Sequence, residues 1–318
     1  MSLETLGAEV VGRARAMASD ITIRSAVGED EQEVRVRIDE ALQVFNAVER
    51  ACTRFDPCSS LMRANARLEH WNRVGRVCFD ALIEAHWAYR ETAGRFDPRV
   101  LSDLVAMGYS RSLPFAEGNV LLDGGPRPDR PPMPFWRPRF REVSEEVMLG
   151  SHPVDLGGIA KGLAVRWASQ VLAGGHGYLV EAGGDCYCAG TAPDGGPWRI
   201  AVEDPAGGTQ PLAVLAIGDL ACATSSVRLR RWKVGGKSVH HIVDPDTGQS
   251  GGEGLASVTV VATDPAVSEV WSKVLFLRGS DAIGELAAQR GLAAMWVDES
   301  GAVAASPGME CHVLWRAA

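Results

Sequence analysis

The sequence predicts an α+β fold, and three observations carry that prediction. Apolar residues recur at helical spacing in some segments and alternate with polar ones in others. The two kinds of segment follow one another without the regular βαβα beat of a doubly wound parallel sheet. The 318 residues, 46% hydrophobic and 23% charged, suit a large globular core, and no fixed-period repeat interrupts them.

From the N-terminus, MASDITIRSAV (residues 17–27) alternates and predicts a first strand. Between Gln32 and Cys52 the residues Val34, Ile38, Leu42, Phe45 and Val48 predict an amphipathic helix. RFDPCSSLMRAN (54–65) reads as a turn, and residues 76–92 as a second helix. GRFDPRVLSDLVAMGY (94–109) then predicts a turn and a short helix ending near Gly108. Residues 124–142 hold six prolines and seven charged residues, which predicts a surface loop rather than a packed element. Strand signals follow in GYLVEAGG, WRIAVEDP, LAVLAIGDLACATS, HHIVDPDTG, ASVTVVAT and AAMWVDESG. Helices are expected over 163–172, over 266–277 and near 281–289.

The bulk numbers narrow the function classes. A net charge of −8 argues against a nucleic-acid partner, for which a basic face is the usual footprint. No stretch approaches the ~20 consecutive apolar residues of a membrane span. MSLETLGAEV lacks the basic and apolar regions of a signal peptide, so the chain as given reads as cytoplasmic, although a processed chain would look the same. Seven cysteines without a C-x-x-C favour reduced thiols over a zinc site.

Four clusters rich in glycine and polar residues fall at the ends of the expected strands. VDLGGIAKG (154–162) precedes LAVRWASQVL, a run at helical spacing. Three glycines in six residues imply a backbone that bends or approaches something closely, since each costs roughly 0.5–1 kcal/mol relative to alanine. A helix start there would offer unpaired N–H groups and a positive dipole end to an anion such as phosphate, with Lys161 adding charge. A plain turn has the same appearance, and neither G-x-G-x-x-G nor the P-loop pattern is present. In EAGGDCYCAG (181–190), Gly183 and Gly184 put a tight backbone ahead of Asp185, as an ordinary turn also would. In ATSS (223–226), the hydroxyls of Thr224 and Ser225 suit a phosphate or ribose, and the RLRRWK run that follows is also what a solvated face contains. HHIVDPDTGQ (240–249) is turn chemistry, with His241 and Asp244 spaced for a general base and its orienting partner, or for a structural role.

In their order these motifs resemble the ApbE-type flavin transferases, enzymes that move FMN from FAD onto a protein threonine. The resemblance runs from about Met17 to Gly279, through RFDPCSSLMRAN, GRFDP, VDLGGIAKG, EAGGD, ATSS, HIVDPDTG and SVTVVATDPAVSEVWSKVLFLRG. It implies a T-fold-like architecture with mixed or antiparallel sheets. It further implies one transferase domain over 1–318, with FAD in a groove between two subdomains. By position, Met17 resembles the methionine that borders the flavin, and Phe96 and Asp97 the family's contact to FAD. Asp155, Gly157, Gly158 and Lys161 match the loop beside the pyrophosphate. Gly183, Gly184, Asp185, Thr224, Ser225 and Ile242 complete the expected FAD site. His241 and Asp244 match the pair lining the place where the acceptor threonine is activated, with Asp244 as base. The carbonyl of Ala160 matches a magnesium ligand.

Three departures stand out. Met-Gly-Thr has become Met17-Ala18-Ser19, and Thr-Ser-Gly has become Thr224-Ser225-Ser226. Where the family's late helix carries Asp and, four residues on, Thr as metal ligands, this chain carries Glu269 and Lys273. Glutamate can ligate Mg²⁺ through oxygen, and a lysine ammonium cannot. An i, i+4 Glu–Lys pair is also what an exposed helix carries, worth about 0.2–0.5 kcal/mol. The implied activity is transfer of FMN from FAD to a threonine of an acceptor protein, with AMP released. An FAD-binding or trafficking protein and an FAD pyrophosphatase are the alternatives.

Overall fold

The computed structural model describes residues 1–27, 30–113, 115, 121–122, 131–175 and 177–317. The chain begins with an antiparallel meander of β1 (Ser2–Leu6), β2 (Glu9–Ala16) and β3 (Ser19–Ala26). The expected first strand is thus shorter than residues 17–27, and two strands precede it. Met17 and Ala18 form the turn between β2 and β3, at φ 54° and 55°. Such a left-handed pair matches the twist of a tight hairpin, but each non-glycine residue there carries strain of roughly 1 kcal/mol.

Helix α1 (Glu31–Cys52) starts where the Asp30 side chain accepts the Glu33 N–H, and it buries Ile38, Leu42, Phe45 and Val48 as its spacing predicts. The segment expected to be only a turn contains α2 (Ser60–Asn65), capped by the Ser59 hydroxyl. Next come β4 (Asn72–Arg73), α3 (Arg76–Glu91), α4 (Leu101–Ala106) and β5 (Leu121–Leu122). Of the proline-rich stretch, residues 124–130 lie outside the described residues. The remainder is not all surface loop. Trp136 is buried, donates its indole N–H to the Leu149 carbonyl and packs edge-on against Tyr89. Beyond it β6 (Arg139–Arg141) pairs with β7 (Glu146–Met148).

Helix α5 (Ala160–Leu172) begins three residues earlier than expected. Then follow β8 (Tyr178–Ala182), β9 (Asp185–Ala189), β10 (Trp198–Val202), β11 (Ala213–Ile217) and β12 (Leu220–Ser226). The run 212–225, expected as one strand, is a hairpin whose turn holds Asp219 at φ 54°. The basic run enters β13 (Arg231–Val234), which pairs with β14 (Lys237–His240). The strand expected in HHIVDPDTG therefore stops at His240. The chain closes with β15 (Leu255–Ala262), α6 (Pro265–Leu277), α7 (Ile283–Arg290), β16 (Ala293–Asp298), β17 (Val303–Ala305) and β18 (Val313–Arg316).

A nine-stranded antiparallel sheet in the order β1-β2-β3-β8-β9-β12-β15-β16-β17 is the frame, so the α+β expectation holds. Helices α1, α5 and α6 pack on one face, where Ile21, Ile23, Val180 and Val258 join their apolar sides in one core. The small sheet β10-β11-β18 covers part of the other face, with Cys186, Cys188 and Cys222 against Trp198 and Leu215. All seven cysteines are free. Helix α5 lies so close to α6 that a Cβ on Gly162 would stand 2.6 Å from the Pro265 carbonyl oxygen. Close helix packing, rather than an open helix start, is what requires glycine there.

Candidate active site

A cleft of about 550 Å³ opens where the ends of these elements meet. The β2–β3 turn contributes Met17 and Ala18, the end of α1 Cys52 to Phe55, and the GRFDP turn Arg95 to Pro98. Asp155, Gly157, Gly158, Ala160 and Lys161 line it from the glycine turn, His241 and Ile242 from the turn after β14, and Lys273 from α6. The structure therefore brings together motifs more than 200 residues apart in sequence. Their joints are visible. The Asp155 N–H donates to the Pro98 carbonyl at 2.7 Å, tying the glycine turn to GRFDP. Asn65 holds Val154 from both sides, at 2.8 and 2.9 Å, so the asparagine closing α2 fixes the segment leading into the turn. A Cβ on Gly158 would meet the Phe96 ring at 3.0 Å, so glycine allows that aromatic to close over the turn.

Other expected residues lie elsewhere. Gly183 and Gly184 form the β8–β9 hairpin turn at φ 57° and 91°, away from the cleft lining. Thr224 and Ser225 belong to β12 and bond inside the protein, to Thr259 at 2.9 Å and Ser272 at 2.8 Å. Their hydroxyls are thereby committed to packing. Asp97 does line the cleft, but its carboxylate is held by Arg99 at 2.7 and 3.0 Å. Asp244 does not line it. Its Oδ1 accepts the Asp246 N–H at 2.9 Å, and among the described residues no hydrogen bond joins it to His241.

At the cleft floor sits a quartet of charges, two half-buried lysines over two acids. Lys161 pairs with Asp185 and stands 3.5 Å from Glu269; Lys273 stands 3.0 Å from the same Glu269 oxygen. The second Glu269 oxygen accepts the Gly162 N–H at 2.8 Å. The quartet is electrically neutral, and both acids are fully buried. Desolvation works against the Glu269 carboxylate, but Lys273, Lys161 and the Gly162 amide outweigh it and hold its pKa below the ordinary value. Burial pulls the Lys273 ammonium down, opposed by Glu269. For Lys161 the desolvation is more than offset by Asp185 and Glu269, and its pKa is raised.

This arrangement does not fit a magnesium ion. Both oxygens of Glu269 are engaged, and an ammonium stands where a second ligand would have to be. The expected open helix start is also modified, because the Gly162 N–H in the first turn of α5 belongs to Glu269. What faces the cleft is therefore positive charge on side chains. His241 is neutral: burial, then Arg230 and Lys273, push its pKa well below the usual histidine range. Its Nδ1 lies 3.3 Å from the Arg230 carbonyl oxygen, so Nδ1 carries the proton and Nε2 keeps a lone pair.

Sequence reasoning missed several cleft residues, among them the arginines Arg54 and Arg230. Arg54 opens the RFDP turn, and Arg230 lies in a run that reads as a solvated face. No signal within the sequence separates them from surface arginines.

The frame is α+β, and its cleft, floored by a glycine turn, is lined by more lysines and arginines than acids, a charge balance that suits an anionic ligand. A family model for the ApbE family matches residues 17–296, and the chain belongs to that family. It is 34% identical over 144 residues to the FAD:protein FMN transferase of Haemophilus influenzae, covering 44% of this chain and 42% of that protein. To the one from Escherichia coli K12 it is 29% identical over 151 residues, or 46% and 43%. The matched part thus spans less than half the length of these curated relatives. The crystal structure of the ApbE protein from Thermotoga maritima superposes with a TM-score of 0.80 at 25% identity, covering 96% of this chain and 99% of that one. The flavin transferase ApbE from Vibrio cholerae gives 0.73 at 21%, over 98% and 100%, and shows the same fold.

Proposed function

We propose that the cleft binds FAD and that the protein transfers its FMN half to a threonine of an acceptor protein. The observation that carries this reading is the convergence of the glycine turn, GRFDP, His241 and two lysines on one cleft. The names of the relatives support it. In the reaction the threonine oxygen forms a bond to the FMN-side phosphorus while the bond from that phosphorus to the bridging oxygen breaks. AMP leaves with the bridging oxygen. Such transfer needs mostly positioning and charge neutralisation. Lys161 and Lys273 neutralise the diphosphate, and Met17 and Phe96 border the flavin. Asp244, outside the cleft lining, takes the hydroxyl proton of an acceptor threonine that arrives from that side, with the lone pair of His241, inside the lining, as the next candidate. The groove would divide two subdomains of a single domain over 1–318.

Incubating the protein with FAD and a threonine-bearing acceptor peptide, followed by mass spectrometry of the acceptor, tests this. The expected result is a gain of one FMN with an equal yield of AMP. AMP without acceptor gain would make the protein an FAD pyrophosphatase. Bound FAD without turnover would make it a flavin-binding protein, the reading that Lys273 at the family's metal position favours.

A further inference from the structure

Arg54 lines the cleft with its bonding incomplete. Its side chain is only 5% exposed. Nη1 donates to the Tyr109 carbonyl at 2.5 Å, and the guanidinium lies over the rings of Phe55 and Tyr109, 4.2 and 4.1 Å from their centroids. Stacking and the hydrogen bond together fix the fork. Nη2, by contrast, is buried with no hydrogen-bond partner among the described residues. Asp155 does not satisfy it. The nearest approach of that ion pair is 3.8 Å, through Nε, beyond hydrogen-bond range, and Asp155 Oδ1 accepts the Gly157 N–H at 3.3 Å. A buried donor left unpaired is costly, so a fixed one in a cleft wall points to a missing acceptor.

The surroundings say which acceptor. Arg54, Arg230 and Lys273 all act on Asp155, so cations approach this corner of the cleft from three elements. Such a field suits an anionic oxygen better than a neutral ring carbonyl. We propose that Arg54 is a ligand-binding residue whose Nη2 donates to a diphosphate oxygen of the bound dinucleotide. This rests on the FAD reading above and adds to it a specificity contact for the diphosphate.

The test uses calorimetric titration of the full chain and its Arg54→Lys variant with ADP, FAD and riboflavin. Lysine keeps the stem and the charge and deletes the fork. A charge-assisted hydrogen bond lost in this way should weaken ADP and FAD about tenfold to one-hundred-fold and leave riboflavin unchanged. Arg54→Met, which keeps the stem against both rings and deletes every donor, should lose at least as much. Wild-type affinity for FAD in both variants would overturn the inference and leave the FAD reading standing. So would a loss confined to riboflavin, which would put the acceptor on the flavin ring. A wild type that binds neither ADP nor FAD would overturn both.

Discussion

Replacing Lys273 by Thr together with Glu269 by Asp exchanges the half-buried cation for the oxygen ligands that Mg²⁺ requires. Lys273 holds one Glu269 oxygen at 3.0 Å and leans on the Glu269 carbonyl at 3.3 Å. Breaking a buried pair by removing one partner typically costs about 3–5 kcal/mol. Here the remaining carboxylate keeps the Lys161 ammonium nearby and faces the Gly162 amide, and Lys273 sheds its own desolvation cost. The expected folding penalty is therefore smaller, about 1–2 kcal/mol on the same scale. The ligand should feel more. Removing one positive charge about 5 Å from a phosphoryl oxygen, at an effective dielectric near 20, costs roughly 3 kcal/mol, or about a hundredfold in affinity. The assay is FAD titration by flavin fluorescence in EDTA and in excess Mg²⁺. Wild type should bind equally in both. The double variant should bind FAD about a hundredfold more weakly in EDTA and recover with Mg²⁺. Loss of wild-type binding in EDTA, or a double variant indifferent to the metal at wild-type affinity, would refute the idea that Lys273 takes the cation's place.

Three further outcomes are expected. Asp244→Asn keeps the acceptor for the Asp246 N–H, so folding and FAD binding should survive while transfer falls on the order of 10²–10⁴-fold in single-turnover assays; an unchanged rate moves the base to His241. Gly162→Ala pushes a Cβ into the Pro265 carbonyl and should lower stability by about 1–3 kcal/mol from overpacking, less roughly 1 kcal/mol of helix propensity, read from the urea midpoint. Burial pushes His240 down to about 4, so the unfolded chain binds the extra proton first, and stability should be lost as pH falls from about 6.5 toward 4. Urea unfolding at the two ends of that window should show wild type losing about 3 kcal/mol that the His240→Asn variant keeps.

What the sequence made legible is what periodicity and turn chemistry encode locally. The α1 stripe from Ile38 to Val48 faces the core as its spacing requires, and α3 and α6 run close to their expected bounds. Strands β1 and β2 escaped because a Val-Val-Gly run inside β2 lacks alternation, and its residues 9–12 are all buried. The hairpin of β11 and β12 was read as one strand because Gly218 and Asp219 interrupt the apolar run for only two residues. Trp136 was hidden by its setting. Prolines mark an irregular backbone, and nothing in their number says that a buried aromatic anchors it.

The candidate site shows the same division more sharply. Residue types near a chain turn could be read, but their partners could not, because partners arrive from other elements. Glu269 and Lys273 are visibly one helical turn apart in the sequence, and that spacing is compatible with a solvated pair. Only the crossing of α5 over α6 at Gly162 buries them, and it does two things at once. It brings the Gly162 N–H to one Glu269 oxygen, and it sets Lys161 3.5 Å from the other, beside Lys273. Glycine at 162 is thus as much a requirement of the charge quartet as of the helix packing. A side chain there would separate the helices and leave Glu269 buried with fewer donors. The same logic explains why a lysine can persist at 273. With Asp185 matching Lys161, the lone Glu269 charge is balanced by one ammonium, whereas a divalent ion added to the quartet would leave an uncompensated charge in a dry interior.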